Sequence, residues 1–116
     1  MDIHYATIVV DDNQVLLNRE GYEVDVRRLL ENDIHAVQWY GDEGFGEVEF
    51  RSHFLKNEDP PRWDRKPNLI IKAFDEYAWV IPLWQEAKVE FERKREEERV
   101  RMEAMMESIG KATESS

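Results

Sequence analysis

The apolar residues change their spacing near residue 72. Before it they tend to alternate with polar residues and are interrupted by turn signals, and from Phe74 onward they recur at three- and four-residue intervals. This pattern predicts a β-rich head over residues 1–72, a helical tail over 73–110, and a disordered end over 111–116. The fold class expected is α+β: a small antiparallel sheet of about five or six short strands in hairpins, then a long C-terminal helix.

In the head, the β-branched run Tyr5 to Val10 is followed by the turn Asp11-Asp12-Asn13 and by Gln14 to Leu17, a tight hairpin. A second turn over Asn18–Gly21 leads to a short strand from Tyr22 to Val24, and Asp25 is placed to cap one helical turn over Val26–Leu30. Ile34 to Tyr40 is the most regular strand. Across the turn Gly41–Gly44 it pairs with Phe45 to Phe50, where Val48 and Phe50 share one face and Glu47 and Glu49 the other. Gly44 and Gly46 mark positions of unusual dihedral angle or a bulge. Arg51 to Leu55 prolongs the second arm, and Asn57 to Pro67, with three prolines in eight residues, reads as a loop.

Asp75 is a candidate N-cap for the tail. Pro82 lacks the amide that would bond the Ala78 carbonyl, so either the helix kinks there or Pro82 lies in the first turn of a second helix. Gly110 is the expected C-terminal cap. Trp84, Ala87 and Phe91, with the Lys88 stem, form a stripe expected to dock on the head. The next turns have nothing to bury and are expected to rely on Glu90–Lys94, Glu92–Arg95 and Glu97–Arg101 pairs. Apolar residues then return as Val100, Met102, Met105, Met106 and Ile109. Pro82 to Ile109 as a rod is about 40 Å long, which carries this second patch beyond reach of a small head. It is read as a partner-binding surface, a short coiled coil between copies, or a helix that folds back. The expected structural core includes Ile34, Trp39, Val48, Phe50, Trp84 and Phe91, with Trp39 anchoring the head or meeting Trp84.

Charge narrows the classes of function. Sixteen basic against 26 acidic residues give a net charge of −10, which opposes binding to nucleic acid or an anionic membrane. No stretch is long and apolar enough to span a bilayer, and the start of the chain lacks the pattern of a secretory signal. The chain has no cysteine, so disulfides and thiolate metal sites are excluded.

Candidate chemistry is sparse. The three histidines, His4, His35 and His53, have no ligand spacing, and the carboxylates fall in turns and on solvated faces. Gly41-Asp-Glu-Gly-Phe-Gly46 has the wrong spacing and charge for a phosphate loop. Trp63 with Arg62, Arg65 and Lys66 is a small basic-aromatic patch that reads as a solvated loop, and Trp39, Trp63 and Tyr40 are the residues a sugar-binding head would use. No catalytic, cofactor or metal site is expected.

One stretch is more specific. Ile34-His35-Ala36-Val37-Gln38-Trp39-Tyr40-Gly41, then Gly44 and Glu47-Val48-Glu49-Phe50, resembles a signature of small proteins from tailed-phage tail gene clusters, described as tail fibre assembly or tail assembly chaperone-like proteins. The likeness extends over about Tyr22 to Phe91: a proline-rich loop follows, then a helix led by Phe74, Tyr77, Leu83 and Trp84. The chain departs from that pattern at Pro82 and in its methionine-rich end. The resemblance implies a non-enzymatic protein that binds a tail fibre or other tail protein, present in the host cytoplasm during assembly or retained in the virion tail. It implies no catalytic residues.

Overall fold

The computed structural model describes residues 1–114, with side chains described to Gly110. Strands β1 (Tyr5–Val9), β2 (Gln14–Leu17), β3 (Glu20–Glu23), β4 (Ile34–Tyr40), β5 (Phe45–Phe50) and β8 (Leu69–Ile71) form one antiparallel sheet in the order β3-β2-β1-β4-β5-β8. A separate hairpin pairs β6 (His53–Leu55) with β7 (Arg62–Asp64), and the helix α1 runs Val80–Glu114. The fold is thus α+β, as expected: a six-stranded antiparallel sheet and a small hairpin, followed by a long C-terminal helix.

The first three strands form a meander. Asn18 and Arg19 link β2 to β3 with φ of 51° and 72°, the two successive positive values of a turn whose twist matches that of the strands. The Asn18 side chain also ties down the chain start: its Oδ1 accepts from the His4 and Tyr5 amides, and its Nδ2 donates to the Asp2 carbonyl. A 3-10 segment, Arg27–Asn32, then carries the chain back to place β4 beside β1. Asp25 accepts hydrogen bonds from the Arg27 amide and guanidinium, which hold its carboxyl down to about 2.

Alternation puts Ala6, Ile8, Val10, Val15, Leu17, Val37 and Val48 on one face of the sheet, all buried. Ile34 is buried too, although it stands three residues from Val37, an odd offset that regular alternation would send to opposite faces. A register shift between Ile34 and Ala36 resolves this by bringing both inward. The bulge expected near the glycines therefore lies on the facing strand. Gly44 has φ of +75° in the turn. Gly46 serves another purpose: a Cβ there would lie 2.4 Å from the Gln38 carbonyl oxygen and 2.9 Å from the Trp39 ring.

Phe74, the 3-10 turn Asp75–Tyr77 and the start of α1 complete this core with the buried side chains of Phe74, Tyr77, Val80 and Trp84. The compact unit they close spans Met1–Trp84, twelve residues past the boundary expected from the pattern change, because these aromatics belong to the sheet's core. Trp84 donates its indole N–H to the Glu20 carbonyl at 2.8 Å and meets Tyr22 edge-on at 5.4 Å. Trp39, partly exposed, stacks on Phe74 at 6.1 Å. Of the two roles expected for Trp39, a contact in the head is the one seen, and Trp84 has other partners.

Several expectations are corrected. The segment after β5 turns away into β6, and the proline-rich stretch contains β7, whose residues 62–64 lie between the prolines and remain free to pair. Strand β8 was not marked by the alternation, since Leu69, Ile70 and Ile71 are uniformly apolar. Pro82 stands in the first turn of α1, where its missing amide would have had no helical partner. The helix passes through Gly110 to Glu114, so Gly110 does not cap it, and the expected disordered end reaches past the described residues. Phe50 is only partly buried, with the Lys66 ammonium 5.5 Å from its ring centre. Phe91, expected in the core, is 52% exposed.

Candidate functional site

Over its described residues the second unit, from Gln85 onward, is the continuation of α1. Its large apolar residues are all open to solvent: Met102, Met105, Met106 and Ile109 are between 52% and 70% exposed. At about 100° per residue, their spacings of three, four and seven put these four on one side of the helix, and Phe91 on the same side farther up. Val100 is nine residues from both Phe91 and Ile109, half a revolution away, so it lies on the opposite side with Val89. The expected five-residue partner site is therefore a four-residue patch without Val100.

Charges between these apolar groups follow a definite scheme. Arg93 bridges Glu90 and Glu97, and six residues later Arg99 bridges Glu96 and Glu103. The hydrogen bonds from each arginine hold Glu90 and Glu96 below the usual carboxylate range, and the glutamates push Arg93 and Arg99 upward. Of the pairs expected from spacing, Glu90–Lys94 is present at 3.9 Å. Glu97 goes to Arg93 instead of Arg101, and no Glu92–Arg95 pair forms. Among the described residues no ion pair reaches Arg95, Glu98 or Arg101, which share the side of Phe91 and the methionines. Lys94, Glu98 and Arg101 line one shallow groove there with Glu97.

The sheet unit offers a second surface that sequence spacing does not reveal. On the face opposite its core, Tyr5, Tyr40 and Phe45 are direct neighbours across β1, β4 and β5. The Tyr40 and Phe45 rings are 5.2 Å apart. Arg19 stands over Tyr5 at 5.0 Å and Lys72 over Phe45 at 5.9 Å, so the row is closed by a cation at each end. Only the register, fixed by the hairpins, brings these five residues together. At one sheet edge, β8 presents Leu69 and Ile70, each about half exposed.

The remaining candidate chemistry is accounted for locally. Each histidine faces an aspartate: His4 to Asp42 at 2.6 Å, His35 to Asp11 at 3.1 Å and His53 to Asp33 at 3.3 Å. The Asp42 hydrogen bond and charge raise the His4 pKa above its ordinary 6.5. No group of three or more potential ligands converges on a metal position among the described residues. The cations around Trp63 are engaged: Arg62 with Asp64, Arg65 with Glu49, and Lys66 over Phe50. Trp63 itself packs against Phe54 at 5.2 Å. Trp39 and Tyr40, as successive strand residues, point to opposite sheet faces and cannot form one sugar platform. Among the described residues, no helix is long and apolar enough to cross a membrane.

No family model, curated protein or solved structure matches the chain.

Proposed function

We propose that this is a non-enzymatic phage tail protein that assists assembly of a tail fibre or tail by binding a partner protein. The observation that carries the binding role is the exposed side of α1, where Met102, Met105, Met106 and Ile109 present flexible apolar side chains beyond the charged turns. The link to tail assembly comes from the resemblance of Ile34 to Phe50. Net charge of −10 favours solubility of a chain that keeps such a surface open. The aromatic row on the open sheet face is a second contact surface for the same partner.

Light scattering on the chain alone and after co-expression with the product of an adjacent tail-fibre gene tests this reading. The expected outcome is a defined hetero-complex that Met102, Met105 and Met106 to Ser substitutions weaken. A chain that forms no complex with the fibre protein, and is found in stoichiometric amounts in purified virions, would replace the assembly role with that of a permanent subunit of the tail, baseplate or fibre attachment.

A further inference from the structure

The side of α1 that carries Phe91 and the methionines also carries Lys94, Arg95, Glu98 and Arg101, and the order of these residues restricts what can lie against it. The two arginine-centred bridges lie away from this stripe and pair Arg93 with Glu90 and Glu97, and Arg99 with Glu96 and Glu103. Arg95, Glu98 and Arg101, by contrast, lack ion-pair partners among the described residues and are spaced three apart along the stripe.

We propose that α1 pairs with α1 of a second copy in antiparallel orientation, about a twofold axis passing between Arg99 and Val100. In that register Glu98 of each copy lies opposite Arg101 of the other, forming two reciprocal ion pairs at the centre. Lys94 lies opposite Met105 and Arg95 beside Met102, so the aliphatic stem of each basic residue covers a methionine while its charged end reaches water. Phe91 falls opposite Ser108, next to the partner's Met105. Residue pairs in this register sum to 199, which centres the overlap on the described part of the helix beyond Trp84.

The parallel alternative stacks each residue on itself. Lys94 then faces Lys94, Glu98 faces Glu98 and Arg101 faces Arg101, three successive layers of like charge. The same sequence that is self-complementary when antiparallel is self-repelling when parallel. This inference uses the same side of α1 as the tail-assembly reading, so a tail protein would bind there in place of the second copy. If self-pairing fails, that reading still stands on its own hetero-complex.

Sedimentation of the full chain over a range of concentrations tests self-association, and charge exchange tests the register. The wild type is expected to pass from monomer to dimer as concentration rises. Glu98→Arg alone and Arg101→Glu alone are each expected to weaken self-association by about tenfold or more, through like-charge contact. The double variant E98R/R101E should return to within about threefold of wild type, since the reciprocal pairs are restored with their signs exchanged. In a parallel pairing the double variant would still stack like charges and would gain nothing. A spin label at Ser108→Cys, the sole thiol in a cysteine-free chain, gives a second readout. Its distance to the same label in the other copy should be about 25–30 Å, against about 10 Å for parallel helices. A chain that stays monomeric at millimolar concentration, a double variant no better than the singles, or a label separation near 10 Å would each overturn the proposal.

Discussion

The sheet unit and the helix beyond Trp84 both place apolar residues at regular intervals, yet use them in opposite ways. In the sheet, Ile8, Val15, Leu17, Val37 and Val48 are removed from water, and among the described residues no polar or charged residue is buried with them. In the helix, Phe91, Met102, Met105, Met106 and Ile109 keep more than half their surface exposed, and the internal contacts are surface ion pairs. Stability in the first unit comes from burial of apolar surface, which charge screening does not weaken. In the second it comes from helix propensity and pairs that are individually weak and screened by salt. Periodicity reports only that a face exists; whether anything covers it is a separate fact.

Truncating an apolar residue in each unit should separate them most. Ile8→Ala is expected to destabilise the sheet unit by about 2–5 kcal/mol, as lost transfer energy and a cavity combine. Met105→Ala, at a site 56% exposed, should leave the same transition where it is. Urea unfolding followed by tryptophan fluorescence reads both, since Trp39, Trp63, Trp79 and Trp84 all belong to the sheet unit. A comparable shift from Met105→Ala would mean that the helix surface contributes to the fold of the sheet unit, and the contrast would fail.

A smaller effect of opposite sign in the two units is expected from glycine. Gly46→Ala would push a methyl group against the Gln38 carbonyl at 2.4 Å, on a strand held on both sides, and should cost about 1–3 kcal/mol. Gly110→Ala meets nothing within 4 Å and lies inside α1, so it should favour the helix locally by about 0.5–1 kcal/mol. Circular dichroism at 222 nm would show a gain of helix for the second and an earlier urea transition for the first.

The same division explains what was legible in the sequence. Strands β1, β2, β4 and β5 follow directly from alternation and turn residues, because a half-buried strand must alternate. Strand β8 escaped because a short, uniformly apolar run gives no period, and β7 because proline-rich context suggests a loop even where three residues between the prolines are free to pair. The burial of Ile34 beside Val37 depends on a bulge that one strand's sequence does not encode, since it arises from the partner's register. For the candidate site, the methionine patch is readable from helical spacing, and that same spacing sets Val100 half a revolution away from it. The aromatic row of Tyr5, Tyr40 and Phe45 was not readable, since it depends on which strands pair and in what register. Phe91 shows the converse: it has the period of a core residue, but spacing does not set how far a side chain is buried.

The smallest expected effect comes from a charge pair inside the sheet unit, and it tests whether charge matters more there than in the helix. His4 and Asp42 join the chain start to the β4–β5 turn at 2.6 Å, both side chains well exposed. The His4 pKa is raised above 6.5, so whatever stability the pair gives is fully present below pH 6.5 and is lost as pH rises through the higher native value. An NMR titration of His4 should show a midpoint above 6.5 that falls back in Asp42→Asn. The difference in urea midpoint between wild type and Asp42→Asn should be slightly larger at pH 5.5 than at pH 8, and at both well below the shift from Gly46→Ala. If instead Asp42→Asn matched Gly46→Ala at acid pH, surface charge would be holding the sheet unit as well. The two units would then differ only in how much apolar surface they hide, not in the kind of interaction that secures them.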